Sequence, residues 1–151
     1  METTTCHSYF TICSAGILQN GIGFVAADNS FFDPADISKM LGIQPFKMMV
    51  MGSARENGYG VYPFSAWDAC KQTEPKMDTQ EQCLRIVREL SPHIPTLNKI
   101  RELYNVTFSI MIVPHVYNEN APILGFNSEI IEFCHATKTE IGIDLYVYGR
   151  E

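Results

Sequence analysis

A chain of 151 residues with 46% hydrophobic and 19% charged side chains is too apolar for a disordered segment. At this length it can bury one core without a metal or disulfide staple, so a single domain over residues 1–151 is expected. Lys and Arg number 11 against 17 Asp and Glu, a net charge of −6. The bases Arg85, Arg88, Lys99 and Arg101 are interleaved with Glu89 and Glu102, and without a basic stripe to track phosphates nucleic acid is disfavoured as a partner. Opposite charge steers association, so a basic protein is the favoured one.

From the N-terminus, residues 6–13 alternate, with Cys6, Ser8, Phe10 and Ile12 on one face and His7, Tyr9, Thr11 and Cys13 on the other, which predicts a strand. A glycine-containing segment follows, from Gly16 to Ser30. Asp33-Pro34-Ala35-Asp36 is a helix start, with Asp33 as N-cap and Pro34 at the first helical position; Gly42 ends that helix. Phe46 to Met51 reads as a strand, Gly52 to Gly60 as a loop, and Val61 to Trp67 as a returning strand whose Pro63 suggests an edge or a bulge. Asp78 and Glu81 form a capping box ahead of Cys83, Val87, Leu90, Ile94 and Leu97 at helical spacing. Pro92 and Pro95 divide that run into helices over 79–91 and 95–104.

Residues 106–113 alternate strongly, Val106, Phe108, Ile110 and Ile112 against Thr107, Ser109, Met111 and Val113. A polar turn at Asn118, Glu119 and Asn120 leads to a helix capped by Asn127 or Ser128, with Ile130, Ile131, Phe133 and Cys134 on its apolar side. A last strand over 141–148 puts Ile141, Ile143, Leu145 and Val147 opposite Asp144, Tyr146 and Tyr148. The order β-α-β-β-α-α-β-α-β predicts an α+β fold, a mainly antiparallel sheet with helices on one face, ferredoxin-like with an added helix-strand unit.

No motif for catalysis stands out. The chain lacks a GxSxG elbow and a P-loop, and Gly21-Ile22-Gly23 lacks the third glycine of a dinucleotide turn. The cysteines Cys6, Cys13, Cys70, Cys83 and Cys134 are an odd set without a CxxC pair, which reads as reduced thiols of a cytoplasmic protein. Neither Cys6-His7 nor Cys134-His135 has metal-ligand spacing, and Met48, Met49 and Met51 cannot converge on one ion from a strand. No metal or cofactor is therefore expected, nor a secretory signal or membrane span. The suggestive residues are aromatic. Tyr59, Tyr62 and Trp67 around the middle hairpin, and Tyr146 and Tyr148 beside Asp144, are of the types that favour interfaces and pockets; these six are the candidate binding residues.

The segment Phe32-Asp33-Pro34-Ala35-Asp36-Ile37-Ser38-Lys39-Met40-Leu41-Gly42-Ile43-Gln44-Pro45, the glycine-bounded loop, Trp67 and the strand Ile143 to Tyr146 resemble the bacterial family of domain of unknown function 4279. The resemblance runs from the first strand to the last. It implies a small bacterial cytoplasmic domain and carries over no catalytic residues. Two readings follow. The first is a non-enzymatic binding protein of the immunity type, which neutralises a basic, toxin-like protein by direct contact. The second is a small-ligand binder or enzyme whose pocket lies between sheet and helices, lined by Asp144, Tyr146 and Trp67. The absence of motifs favours the first, and the sequence specifies no oligomeric state.

Overall fold

The computed structural model describes residues 2–118 and 120–149; Glu119 of the predicted turn lies outside them. Strand β1 (Thr5–Ser14) is the centre of the sheet. Its even-numbered residues are buried and its odd-numbered ones half-buried without interruption, because one face meets helices and the other does not. On one side β1 pairs antiparallel with β6 (Val106–Val116), from Thr5 opposite His115 to Ser14 opposite Val106. On the other it pairs antiparallel with β5 (Ala66–Gln72), which pairs antiparallel with the short edge strand β4 (Lys47–Met49). Beyond β6 lie β7 (Glu140–Ile143) and β8 (Tyr146–Val147), both parallel to it. The order is thus β4-β5-β1-β6-β7, with β8 further along β6.

Four helices cover one face. They are α1 (Pro34–Leu41), α2 (Thr79–Leu90), α3 (Ile94–Leu103) and α4 (Ser128–Thr137), with a 3-10 turn at Ser91–His93 joining α2 to α3. The cap residues act as their chemistry predicts. Asp33 accepts from the Ala35 amide at 3.0 Å, Asp78 from the Glu81 amide at 3.1 Å and Asn127 from the Ile130 amide at 3.2 Å. Gly42 ends α1 in the left-handed region at φ 68° and donates to Ser38 O. The helices pack Ile37, Ile86, Leu90, Leu97, Ile100 and Ile130 against Phe10, Ile12, Trp67, Phe108, Ile110 and Ile112 of the sheet. At about 1.5–3 kcal/mol for each large apolar side chain buried, this single interface holds the fold.

Several expectations need correction. The Gly16 to Ser30 segment contains a separate hairpin, β2 (Gly16–Gln19) and β3 (Gly23–Ala26). The returning strand begins at Ala66, not Val61, and continues to Gln72, while Pro63 stays in the loop. The bulge lies further on, where Ser8 faces Gln72 but Phe10 faces Ala69. The extra residue falls around Cys70, whose φ of 59° absorbs the kink. The strand expected over Phe46 to Met51 is limited to Lys47–Met49. The last strand breaks at Asp144 and Leu145, although the Asp144 amide still donates to Ile112 O at 2.8 Å, so the register holds. On α4, Ile131 is 56% exposed rather than part of the buried side.

Candidate binding site on the open sheet face

Alternation along β1, β5 and β6 sends every second side chain away from the helices. Register then lines up a row across five strands: Lys47 faces Asp68, Asp68 faces Thr11, Thr11 faces Ser109 and Ser109 faces Glu140. The row crosses a groove of about 410 Å³. Thr11, Asp68, Ser109 and Glu140 are among its polar lining residues, with Tyr9, Met49 and Met111 beside them. Phe24 of the β2-β3 hairpin and Phe64 close one end, in an edge-to-face pair at 5.2 Å. Gly142 permits this packing on the β7 side, since a Cβ there would lie 2.7 Å from the Met111 sulfur.

Asp68 is the unusual member. It is only 7% exposed, and its Oδ1 has no hydrogen-bond partner. Burial pushes its pKa up, with the Thr11 hydroxyl and the Lys47 charge acting in the opposite direction. The other buried side-chain polar atom without a partner among the described residues, Arg101 Nε, belongs to a guanidinium that already donates through Nη2 to Asn98 at 2.9 Å. A buried, partnerless carboxylate oxygen costs stability. It needs a donor, and it sits in a groove walled by Tyr9, Phe24, Phe64, Met49 and Met111.

A second group occupies the same face nearer the N-terminus. Phe46 meets Tyr9 edge-on at 5.5 Å, with Lys71 Nζ 5.2 Å from the Phe46 centroid. His7 lies 5.9 Å from His115, which stacks on Tyr146 at 4.9 Å and 6°. Tyr148 stacks on Tyr117 at 4.2 Å and 4°, and its hydroxyl is 2.9 Å from His115 Nδ1. Tyr146 donates to Asp144 Oδ2 at 3.1 Å, a bond that raises its own pKa. Burial, followed by the Lys71 and His115 charges, lowers the pKa of His7. Tyr146, Tyr148 and Tyr117 spend ring faces on one another or on His115, and the Tyr146 and Tyr148 hydroxyls are engaged by Asp144 and His115, which leaves ring edges and the Asp144 carboxylate for recognition.

The structure therefore brings Asp144, Tyr146 and Tyr148 together and separates them from the other three candidates. Trp67 is fully buried on the opposite face, its indole donating to Ser38 Oγ at 2.9 Å. Tyr59 is 81% exposed in the 50–65 loop, where Tyr62 accepts from the Glu56 amide at 3.4 Å. The space between sheet and helices, where the second reading expects a pocket, is filled by Trp67 and the rest of the core. The residues that sequence reasoning missed are Asp68, Thr11, Ser109 and Glu140. For Asp68 the signal was its place between Trp67 and Ala69, two residues that a strand must send inward together.

The thiols are poorly suited to nucleophilic work. Burial pushes Cys13, in the groove, up to about 11 and Cys83 up to about 12, and it raises Cys6, Cys70 and Cys134 as well. Among the described residues no group of three or more His, Cys, Asp and Glu side chains is arranged to hold a metal, and no helix is long and apolar enough to cross a membrane. No curated protein and no solved structure matches the chain. A family model, however, spans all the strands and helices from β1 to β8, matching residues 4–148, and the chain belongs to the family described as domain of unknown function (DUF4279).

Proposed function

We propose that this protein is a non-enzymatic, cytoplasmic binding protein of the immunity type, which neutralises a basic protein by covering it with the open face of its sheet. The observation that carries the reading is that the helices lie on one face only, leaving on the other a polar and aromatic surface that no helix covers. A face of this kind can supply the roughly 800 Å² per partner of a standard interface. The net charge of −6 sets the sign of the partner, and the five free thiols suit a reducing compartment. As to the scaffold, the order β4-β5-β1-β6 with antiparallel neighbours supports a ferredoxin-like split βαβ pair, to which α4 and β7 add a parallel helix-strand unit.

The test is capture of partners by the tagged chain from lysate of its own source, run beside Tyr146→Arg. A basic protein held at stoichiometric level by the parent chain and lost from the variant is expected. A partner retained equally by Tyr146→Arg, or none held by either chain, overturns the reading.

A further inference from the structure

We propose that the groove over Asp68 is a seat for an organic cation, an ammonium or guanidinium group carried on an apolar body. This deepens the binding reading by naming what the face recognises, but it does not require the bearer of the cation to be a protein. The groove's volume of about 410 Å³ falls within the range of roughly 300–1,000 Å³ typical of ligand sites. Its polar side chains are hydroxyls, the Cys13 thiol and two carboxyls, with no Lys, Arg or His. Asp68 Oδ1, buried and without a partner, requires a donor, and a cationic donor makes the stronger bond.

The walls agree with the floor. Tyr9, Phe24 and Phe64 offer aromatic surface and Met49 and Met111 offer thioethers, which suits a cation with an apolar body and gives a hydrated inorganic ion little to hold. Register puts Thr11 and Ser109 between Asp68 and Glu140, so the ligand's body lies across β1 and β6. The charged and titratable groups near Asp68 are Tyr9 and Cys13 on β1 and Lys47 on β4, while Glu140 on β7 lies across the groove beyond β1 and β6. Lys47 is the internal competitor. Among the described residues it forms no ion pair with Asp68, and it is exposed on the edge strand, lining the neighbouring hollow with Arg55 and Glu56.

The experiment is an NMR titration of the 15N-labelled chain with hexylguanidinium, its neutral isostere hexylurea, and hexanoate. Expected are saturable shifts at Thr11, Asp68 and Ser109 with hexylguanidinium, and affinity about tenfold or more weaker for hexylurea, as for loss of one charged hydrogen bond. Asp68→Asn, which preserves size, should lose about the same factor, whereas Lys47→Met should bind more tightly. Affinity should fall as the pH is lowered through the titration of Asp68. Equal binding of hexylurea or hexanoate, unchanged affinity in Asp68→Asn, or no shifts in the groove overturns the proposal. A blocked Gly-Arg-Gly peptide that competes with hexylguanidinium identifies a protein side chain as the source; failure to compete identifies a free small molecule. If Asp68→Asn loses the probe but still retains the partner captured above, the cation seat stands and the partner docks elsewhere on the face.

Discussion

Two buried polar residues are treated in opposite ways by this fold. Gln82 on α2 is fully buried, and its Nε2 donates to Cys6 O at 3.0 Å and Pro75 O at 2.9 Å while its Oε1 accepts from Ser8 Oγ at 2.7 Å. Those bonds tie the helix layer to β1 and leave little desolvation uncompensated. Asp68 has no such set, so its carboxyl is a standing cost to the free protein. The sign of the resulting pH dependence follows from proton binding. Burial raises the folded pKa above the unfolded value of about 3.9, so between the two values the native state holds more protons and stability falls as pH rises through that window. Asp68→Asn should therefore raise Tm at pH 7 by about 2–4 °C, as about 1 kcal/mol does in a domain of this size. The gain should vanish below about pH 4, where wild type is neutral too. Calorimetric unfolding at several pH values checks this. A loss of stability at neutral pH, or a gain that ignores pH, would show that Asp68 is not strained in the free protein.

At the scale of elements, the β2-β3 hairpin is a two-stranded sheet outside the main one, with Ile17, Leu18 and Ile22 exposed by 62%, 83% and 72%. A hairpin of this kind is marginal by itself; Phe24 packs on Phe64 and the Ala27 amide donates to Ala15 O at 2.8 Å at its base. Its amides should exchange through local opening, well ahead of those of β1 and β6, which require global unfolding. Native-state hydrogen exchange read by peptide mass spectrometry tests this, and equal protection of residues 16–26 and 106–116 would contradict it. The exposure that weakens the hairpin also hid it from the sequence. Alternation made β1 and β6 legible because each has one buried and one open face, and α1, α2 and α4 announced themselves through Asp33, Asp78 and Asn127. The β2 residues are exposed throughout, and Ala66 to Ala69 of β5 are buried throughout, so neither strand carries a period of two. Within that buried stretch the one signal that Asp68 faces the other way was its place between Trp67 and Ala69. Asp144, Tyr146 and Tyr148 were legible as a group because their strand's register with β6 survives its break.

For the molecule as a whole, asymmetry between its two faces makes the charge distribution directional. Glu129 stands on α4 in the helix layer and is already paired with Arg88 at 3.0 Å, while Asp144 lies on the open side close enough to influence His7 and Tyr9. Packed layers are separated by about 10 Å, more than the Debye length of about 8 Å at physiological salt. A charge on the helix layer is therefore screened from a partner approaching the sheet. With the captured basic partner in hand, Asp144→Lys should slow association several-fold and flatten its dependence on salt, because rim charges act mainly on the on-rate. Glu129→Lys, an equal change in net charge, should leave the on-rate within about twofold. Stopped-flow association at a series of salt concentrations separates the two. Equal slowing by both would mean that net charge alone steers the encounter, and a larger effect from Glu129→Lys would move the contact surface to the helices.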